Sequence, residues 1–121
     1  MTIIEAISKA DALKFNNYSM SEKIEWLAKL DAKIKTKIID THERVEEENE
    51  ENSEANVDTE LLVETPFDDL YIYWLCAQID YNNGEIEKYN NSYDLFNTAY
   101  IDYERWYNRT HKPKGSKLKL I

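Results

Sequence analysis

Apolar residues recur at helical spacing in four stretches of the 121-residue chain, and this pattern predicts four helices. The first follows a capping-box pattern, Thr2 with Glu5, and is predicted over residues 3–13. The second follows the same pattern, Ser19 with Glu22, and continues for about 20 residues with its lysines mostly off the apolar face. We therefore expect two amphipathic helices in the first third of the chain.

The last two predicted helices follow each other closely. Thr65 is expected to cap the third helix, with Pro66 at the first helical position, where its missing N–H costs nothing. Gly84 is expected to end it, and the fourth helix is predicted over residues 85–108. So short a connection predicts an antiparallel helical hairpin. The predicted inner face of the third helix comprises Phe67, Leu70, Tyr71, Trp74, Leu75, Gln78 and Tyr81.

Large side chains follow the fourth helix in alternating steps of three and four residues. We call this set the aromatic stripe: Ile86, Tyr89, Tyr93, Phe96, Tyr100, Tyr103 and Tyr107. A second stripe lies beside it: Ser92, Leu95, Ala99 and Trp106. Together they exceed the roughly 100° of helix surface needed for packing on one side. Two explanations stay open, a partly hydrated core edge or an interface between subunits, and on the second Tyr93, Tyr100 and Trp106 are candidate contacts.

The segment between the second and third helices is strongly acidic and has no apolar periodicity. We predict a flexible loop over residues 43–60. Its like charges repel each other, and it has little apolar surface whose burial could offset the entropy lost on ordering the chain. Its candidate functional residues are Glu46, Glu47, Glu48, Glu50 and Glu51. Residues 61–63 and the alternating "KLKLI" at 117–121 are short strand signals. The predicted fold is one all-α domain over residues 1–121, a small four-helix bundle with a C-terminal hairpin and an optional two-stranded β element.

Charge is distributed unevenly along the chain. Residues 61–108 carry nine acidic and two basic side chains, whereas residues 109–121 carry five basic and no acidic ones. An acidic body with a basic tail can attract its own copies. We therefore predict self-association through tail residues, namely Lys112, Lys114, Lys117, Leu118, Lys119, Leu120 and Ile121.

Composition and motifs argue against several other classes. A net charge of −9 without a basic face disfavours a general nucleic-acid binder. The sequence has no secretory pattern and no apolar run approaching the roughly 20 residues that cross a bilayer, so we expect a soluble cytoplasmic protein. Cys76 is expected to be a buried thiol.

Catalytic and metal-binding patterns are weak. His42 is expected to interact with a helix dipole and His111 to be a solvated surface residue. No serine, cysteine or lysine forms a recognisable catalytic partnership with either histidine. We therefore expect no enzyme activity, no metal and no cofactor.

Three long stretches together resemble one family of phage proteins. They are "EKIEWLAKLDAKIKTKIIDTHE", "ELLVETPFDDLYIYWLCAQIDYNNGEIEKYNNS" and "FNTAYIDYERWYNRTHKPKG", followed by the alternating basic end. They cover most of the chain outside the acidic loop. The resemblance is to small helical head–tail connector (adaptor) proteins, encoded in the head gene cluster of tailed phages and of prophages in low-GC Gram-positive bacteria.

The resemblance implies a virion structural protein. It would form a ring beneath the portal protein, meet the tail-side connector proteins, complete the head and continue the DNA channel, after assembly in the host cytoplasm. An acidic loop in such a channel would repel DNA phosphates and let DNA slide. The alternative is a cytoplasmic adaptor or regulatory module whose acidic loop binds a basic partner or mimics DNA.

Overall fold

The computed structural model describes residues 1–42 and 54–114, and this part of the chain is mostly helical. Within these ranges there are four α-helices and no strand, so the predicted all-α class is confirmed. None of these helices is both long and apolar enough to cross a membrane. The elements are α1 (Ile3–Leu13), α2 (Met20–Lys37), a 3₁₀ turn (Ile39–Thr41), α3 (Asp69–Asn82) and α4 (Ile86–Thr110).

The predicted caps start α1 and α2. At α1 the backbone N–H of Glu5 donates to Thr2 Oγ1 (3.3 Å), and the Thr2 N–H donates to Glu5 Oε1 (3.0 Å). At α2 the Glu22 N–H donates to Ser19 Oγ (3.1 Å). These bonds satisfy backbone donors that have no partner inside a first helical turn. Local sequence therefore sets where both helices begin.

The end of the predicted acidic loop has a defined structure. The N–H of Ile3 donates to the Thr59 carbonyl (3.0 Å), and that of Ile4 donates to the Val57 carbonyl (2.9 Å). Residues 54–60 thereby satisfy two further free donors of α1. The predicted loop over 43–60 therefore ends in a segment whose carbonyls accept from the start of α1, and its flexibility stays a prediction. Glu46, Glu47, Glu48, Glu50 and Glu51 lie outside the described residues.

The predicted strand at residues 61–63 is absent. The three N–H groups donate to separate partners: Leu61 to the Met1 carbonyl (3.0 Å), Leu62 to Asp31 Oδ2 (3.0 Å) and Val63 to the Tyr71 hydroxyl (2.8 Å). A strand would need one partner strand for these donors. The bridges within the described ranges, Thr2–Glu60 and His42–Pro113, are isolated. The other proposed strand, at 117–121, lies outside the described residues.

Buried Tyr71 and half-buried Asp31 form a polar link between α3 and α2. The Tyr71 hydroxyl donates to Asp31 Oδ1 (2.5 Å) while it accepts from Val63. Burial raises the pKa of Asp31, and burial followed by the Asp31 charge raises the pKa of Tyr71. The hydroxyl therefore remains a proton donor to the carboxylate, and the pair ties residues 61–63 between the two helices.

The third helix begins later than predicted. Asp69 is its first residue, because residues 65–68 form a turn instead of helix and place the Phe67 ring against Tyr103 (5.8 Å) and Trp106 (4.9 Å). The predicted single inner face is also too narrow, and predicted Tyr81 is 65% exposed. Buried positions occur around most of the helix: Leu70, Tyr71, Ile72, Leu75, Cys76, Ala77, Ile79 and Asp80.

The connection between α3 and α4 is three residues long and uses Gly84 at φ +73°, as the sequence predicts. The two helices pack along their length, with ring contacts from Trp74 to Phe96 (4.9 Å) and from Tyr81 to Tyr89 (5.6 Å). Buried side chains of all four helices form one apolar cluster. Within it α3 is central, because α1, α2 and α4 each pack directly against α3.

Replacing Tyr71 with phenylalanine is expected to lower the free energy of unfolding by about 1–3 kcal/mol, because it leaves the buried Val63 N–H without a partner and removes one of the two donors to the Asp31 carboxylate. The measurement is urea denaturation followed by circular dichroism. The matched control is Tyr81→Phe on the same helix, where the exposed hydroxyl should contribute less than about 0.5 kcal/mol. If both variants lose the same free energy of unfolding, the role assigned to the link between Tyr71 and Asp31 is contradicted.

Candidate self-association surface around the fourth helix

Burial divides the aromatic stripe of α4 into two parts. Phe96, Tyr103 and Tyr107 are 6%, 1% and 6% exposed, whereas Ile86 is 67% and Tyr93 is 39% exposed. The C-terminal half therefore packs within its own chain and the N-terminal half faces solvent. Neither explanation of the stripe applies to its whole length.

The buried half belongs to an aromatic cluster at the end of α4. Tyr103 contacts Phe67 (5.8 Å) and Trp106 (6.0 Å), and Tyr107 meets the His42 ring edge-on (4.8 Å). Burial is the main cause that raises the pKa of Tyr103. These rings have a structural role, and half-buried Trp106 is at the edge of their cluster.

A first groove, which we call the basic groove, lies between α2 and α4. It has a volume of about 240 Å³. Aromatic rings form its floor, and two exposed lysines stand at its rim. The residues that define it here are Lys33, Lys37, Trp74, Tyr93, Phe96 and Tyr100. It thus contains two of the predicted self-association residues, Tyr93 and Tyr100.

A second groove, which we call the acidic groove, lies between the start of α3 and the middle of α4. It has a volume of about 350 Å³. Its floor is apolar and includes Leu95, which is 54% exposed, while two exposed aspartates stand at its rim. The residues that define it here are Phe67, Asp69, Tyr73, Leu95, Ala99 and Asp102.

The two grooves lie on opposite sides of α4. Tyr93 and Tyr100 line the basic groove, and the residues two positions further on, Leu95 and Asp102, line the acidic one. Two residues along an α-helix correspond to a rotation of about 200°. A single helix therefore separates a lysine-rimmed surface from an aspartate-rimmed surface, each with exposed apolar area beside its charges.

The rim charges are available to a partner. Within residues 1–42 and 54–114, Asp69, Asp102, Lys33 and Lys37 form no ion pair. By contrast, Lys14 pairs with buried Asp80 (3.2 Å), which also accepts from Ser92 Oγ (2.7 Å). Ser92 of the second stripe is thus used inside the chain, whereas the rim charges face solvent.

The basic tail leaves α4 from a defined position. The Lys114 N–H donates to the Thr41 carbonyl (3.0 Å), and the His111 ring stacks on Tyr107 (3.8 Å, 2° between planes). The prediction that His111 is fully solvated is wrong, because this stacking half-buries it. Lys112 and Lys114 are exposed. Lys117, Leu118, Lys119, Leu120 and Ile121 lie outside the described residues.

His42 connects the end of α2 to the end of α4. Its side chain is buried, with Nδ1 2.6 Å from the Ile38 carbonyl oxygen and Nε2 2.8 Å from Asn108 Oδ1. The interaction of His42 with the helix dipole stays a prediction, and the sequence does not predict its contact with Asn108. This histidine therefore helps to fix the start of the basic tail.

The sequence patterns do not identify the four rim charges as part of a site. The lysines of α2 are predicted only to lie mostly off its apolar face, and Asp69 and Asp102 carry no prediction. The tertiary arrangement of α2, α3 and α4 brings these residues beside exposed apolar area. A wide apolar surface on the fourth helix was the one signal that pointed to this arrangement.

Metal-binding and reactive groups do not cluster in the described ranges. Residues 1–42 and 54–114 contain no group of three or more histidine, cysteine or acidic side chains suited to a metal ion. Cys76 is 5% exposed, and burial raises the pKa of its thiol.

Comparison of this chain with protein-family models, with curated proteins and with solved structures finds no match.

The division of the aromatic stripe leads to a stability prediction. Tyr103→Ala is expected to lower the free energy of unfolding by about 3–5 kcal/mol, because it opens a cavity in the buried cluster. Tyr93→Ala, at the basic groove, is expected to cost less than about 1 kcal/mol. Thermal and urea unfolding of both variants measure the difference. A loss at Tyr93 as large as that at Tyr103 would assign Tyr93 to the core.

Proposed function

We propose that this chain is a non-enzymatic structural subunit that joins copies of itself into a ring, in the role of a phage head–tail connector. The ring would bind the portal protein on one side and tail-side connector proteins on the other. The subunit would act in the virion after assembly in the host cytoplasm. In this proposal the four helices form a small bundle, and α3 and α4 are its C-terminal hairpin.

The observation that carries the proposal is the opposite charge on the two sides of α4. A closed ring needs heterologous contacts, in which one surface of a subunit meets a different surface of the next. The basic groove and the acidic groove are two such surfaces, and each has exposed apolar area that association would cover. The resemblance of three long sequence stretches to connector proteins supports the same role.

The overall charge suits a subunit that surrounds passing DNA. The net charge of −9 disfavours tight binding to phosphates, so DNA would pass without being held. The lysines at the basic groove are few and lie beside aromatic rings that suit a protein surface. This distribution supports a protein partner and gives no basis for specific nucleic-acid binding.

The proposal predicts assembly with the portal protein. In a mixture of the two purified proteins, sedimentation should detect several copies of this chain bound to each portal ring. Deleting residues 115–121 should lower the bound amount by about tenfold, equivalent to about 1.4 kcal/mol. The melting temperature should change little, because the deletion leaves the contacts among residues 1–42 and 54–114 in place.

Deletion from residue 115 is a sharper test than deletion from residue 112, because Pro113 and Lys114 contact His42 and Thr41. The matched control is Asn90→Ala, an exposed position on α4 outside both grooves. A chain that stays monomeric beside the portal protein, and that is missing from purified virions, would refute the connector role.

A further inference from the structure

We infer that the acidic groove is the receptor for the lysine–leucine tail of a second copy of this chain. This inference deepens the proposed function, since it rests on self-association and names the two parts that meet. The occupant is the segment "KLKLI" at residues 117–121, which follows the last described residue.

The chemistry of the groove fits this segment. Exposed Leu95 and half-buried Phe67, Tyr73 and Ala99 offer an apolar floor, while Asp69 and Asp102 stand at the rim. The tail alternates Lys117 and Lys119 with Leu118 and Leu120. An extended segment of that sequence presents lysines on one side and leucines on the other. Lysines would then meet the two carboxylates while leucines cover the floor.

The basic groove is a poorer receptor for the same segment. Its rim carries Lys33 and Lys37, which repel a tail of like charge. Both grooves have apolar floors, so charge decides between them. The acidic groove is the one in which charge and apolar surface favour the tail together.

The position of the tail favours a second copy over the tail's own chain. His42 and Thr41 hold the start of the tail, and His42 contacts Tyr107, which lies two turns beyond Tyr100 on the basic-groove side of α4. The acidic groove is on the opposite side of that helix. A tail that entered the groove of its own molecule would have to pass around the end of α4. The seven residues after Lys114 extend at most about 25 Å, so docking requires the groove of the second copy to lie within that distance of Lys114.

Engineered cysteines test this docking in the full chain. Cys76→Ala removes the native thiol, Thr98→Cys places one at the acidic groove and Leu118→Cys places one in the tail. A disulfide forms only if the two Cα atoms come within about 7 Å. Under oxidised glutathione we expect cross-links between chains, resolved as dimers and higher multimers on a non-reducing gel.

The matched control replaces Thr98→Cys with Asn97→Cys, one residue away at the basic groove. Docking raises the effective concentration of the two thiols, so the Thr98 pair should cross-link about tenfold faster than the Asn97 pair. Equal rates, or no cross-link, would overturn the inference. A cross-link within one chain, which migrates as a compact monomer, would show that the tail binds its own groove and would overturn it as well.

Charge reversal gives a second readout on the same contact. Asp69→Lys with Asp102→Lys should slow the Thr98–Leu118 cross-link, as should Lys117→Glu with Lys119→Glu. The four substitutions together should restore it, because the attraction is reformed with exchanged signs. Failure of the restoration would argue against pairing between these charges.

The cross-linking experiments use only this protein, so their outcome does not depend on whether it binds the portal protein. Tail cross-links without portal binding would support the contact and remove the connector role. Portal binding without tail cross-links would keep the role and remove the contact.

Discussion

The hydroxyl group of Tyr71 is the contact on which the position of the other elements depends. It donates to Asp31 on α2 and accepts from Val63, while Leu62 donates to the same carboxylate. A buried N–H and a half-buried carboxylate are costly unless both are paired, so this geometry admits little displacement. The link fixes α3 against α2, and α4 then packs on α3.

The two grooves follow from this arrangement of helices. The basic groove separates α4 from α2 on one side, and the acidic groove separates the middle of α4 from the start of α3 on the other. Charged residues of α2 and α3 therefore stand on opposite sides of α4. Tyr103 and Tyr107 hold the C-terminal half of α4 in the core. The N-terminal half can therefore leave Tyr93 and Leu95 exposed while the core stays packed. Stability and binding therefore use different turns of the same helix.

Sequence patterns predicted the helices better than the segments between them. Thr2, Ser19 and Gly84 act on their nearest neighbours, so their effects can be recognised locally. Residues 61–63 resemble a strand, but their donors pair with Asp31 and Tyr71, which are distant in sequence.

The candidate site shows the same division. Tyr93 and Tyr100 were identified from spacing alone. The spacing of apolar residues in the sequence shows that the apolar surface of the fourth helix is wider than packing on one side requires. The rim charges were not identified as a site, since their positions beside α4 depend on tertiary packing. Phe67 also depends on tertiary packing. Thr65 and Pro66 predict a helix start at this point, but the contacts of Phe67 with Tyr103 and Trp106 favour a turn.

The stacking of His111 on Tyr107, with the Lys114 N–H on the Thr41 carbonyl, has a geometric consequence. Residues 111–114 are thereby held against Tyr107 and Thr41, so the sequence after Lys114 starts from the same point in every copy. Where that sequence joins one copy to the next, the fixed starting point would help to set the rotation between neighbours. Identical subunits joined head to tail close into a ring when this rotation divides a full turn, and otherwise continue as a helical filament.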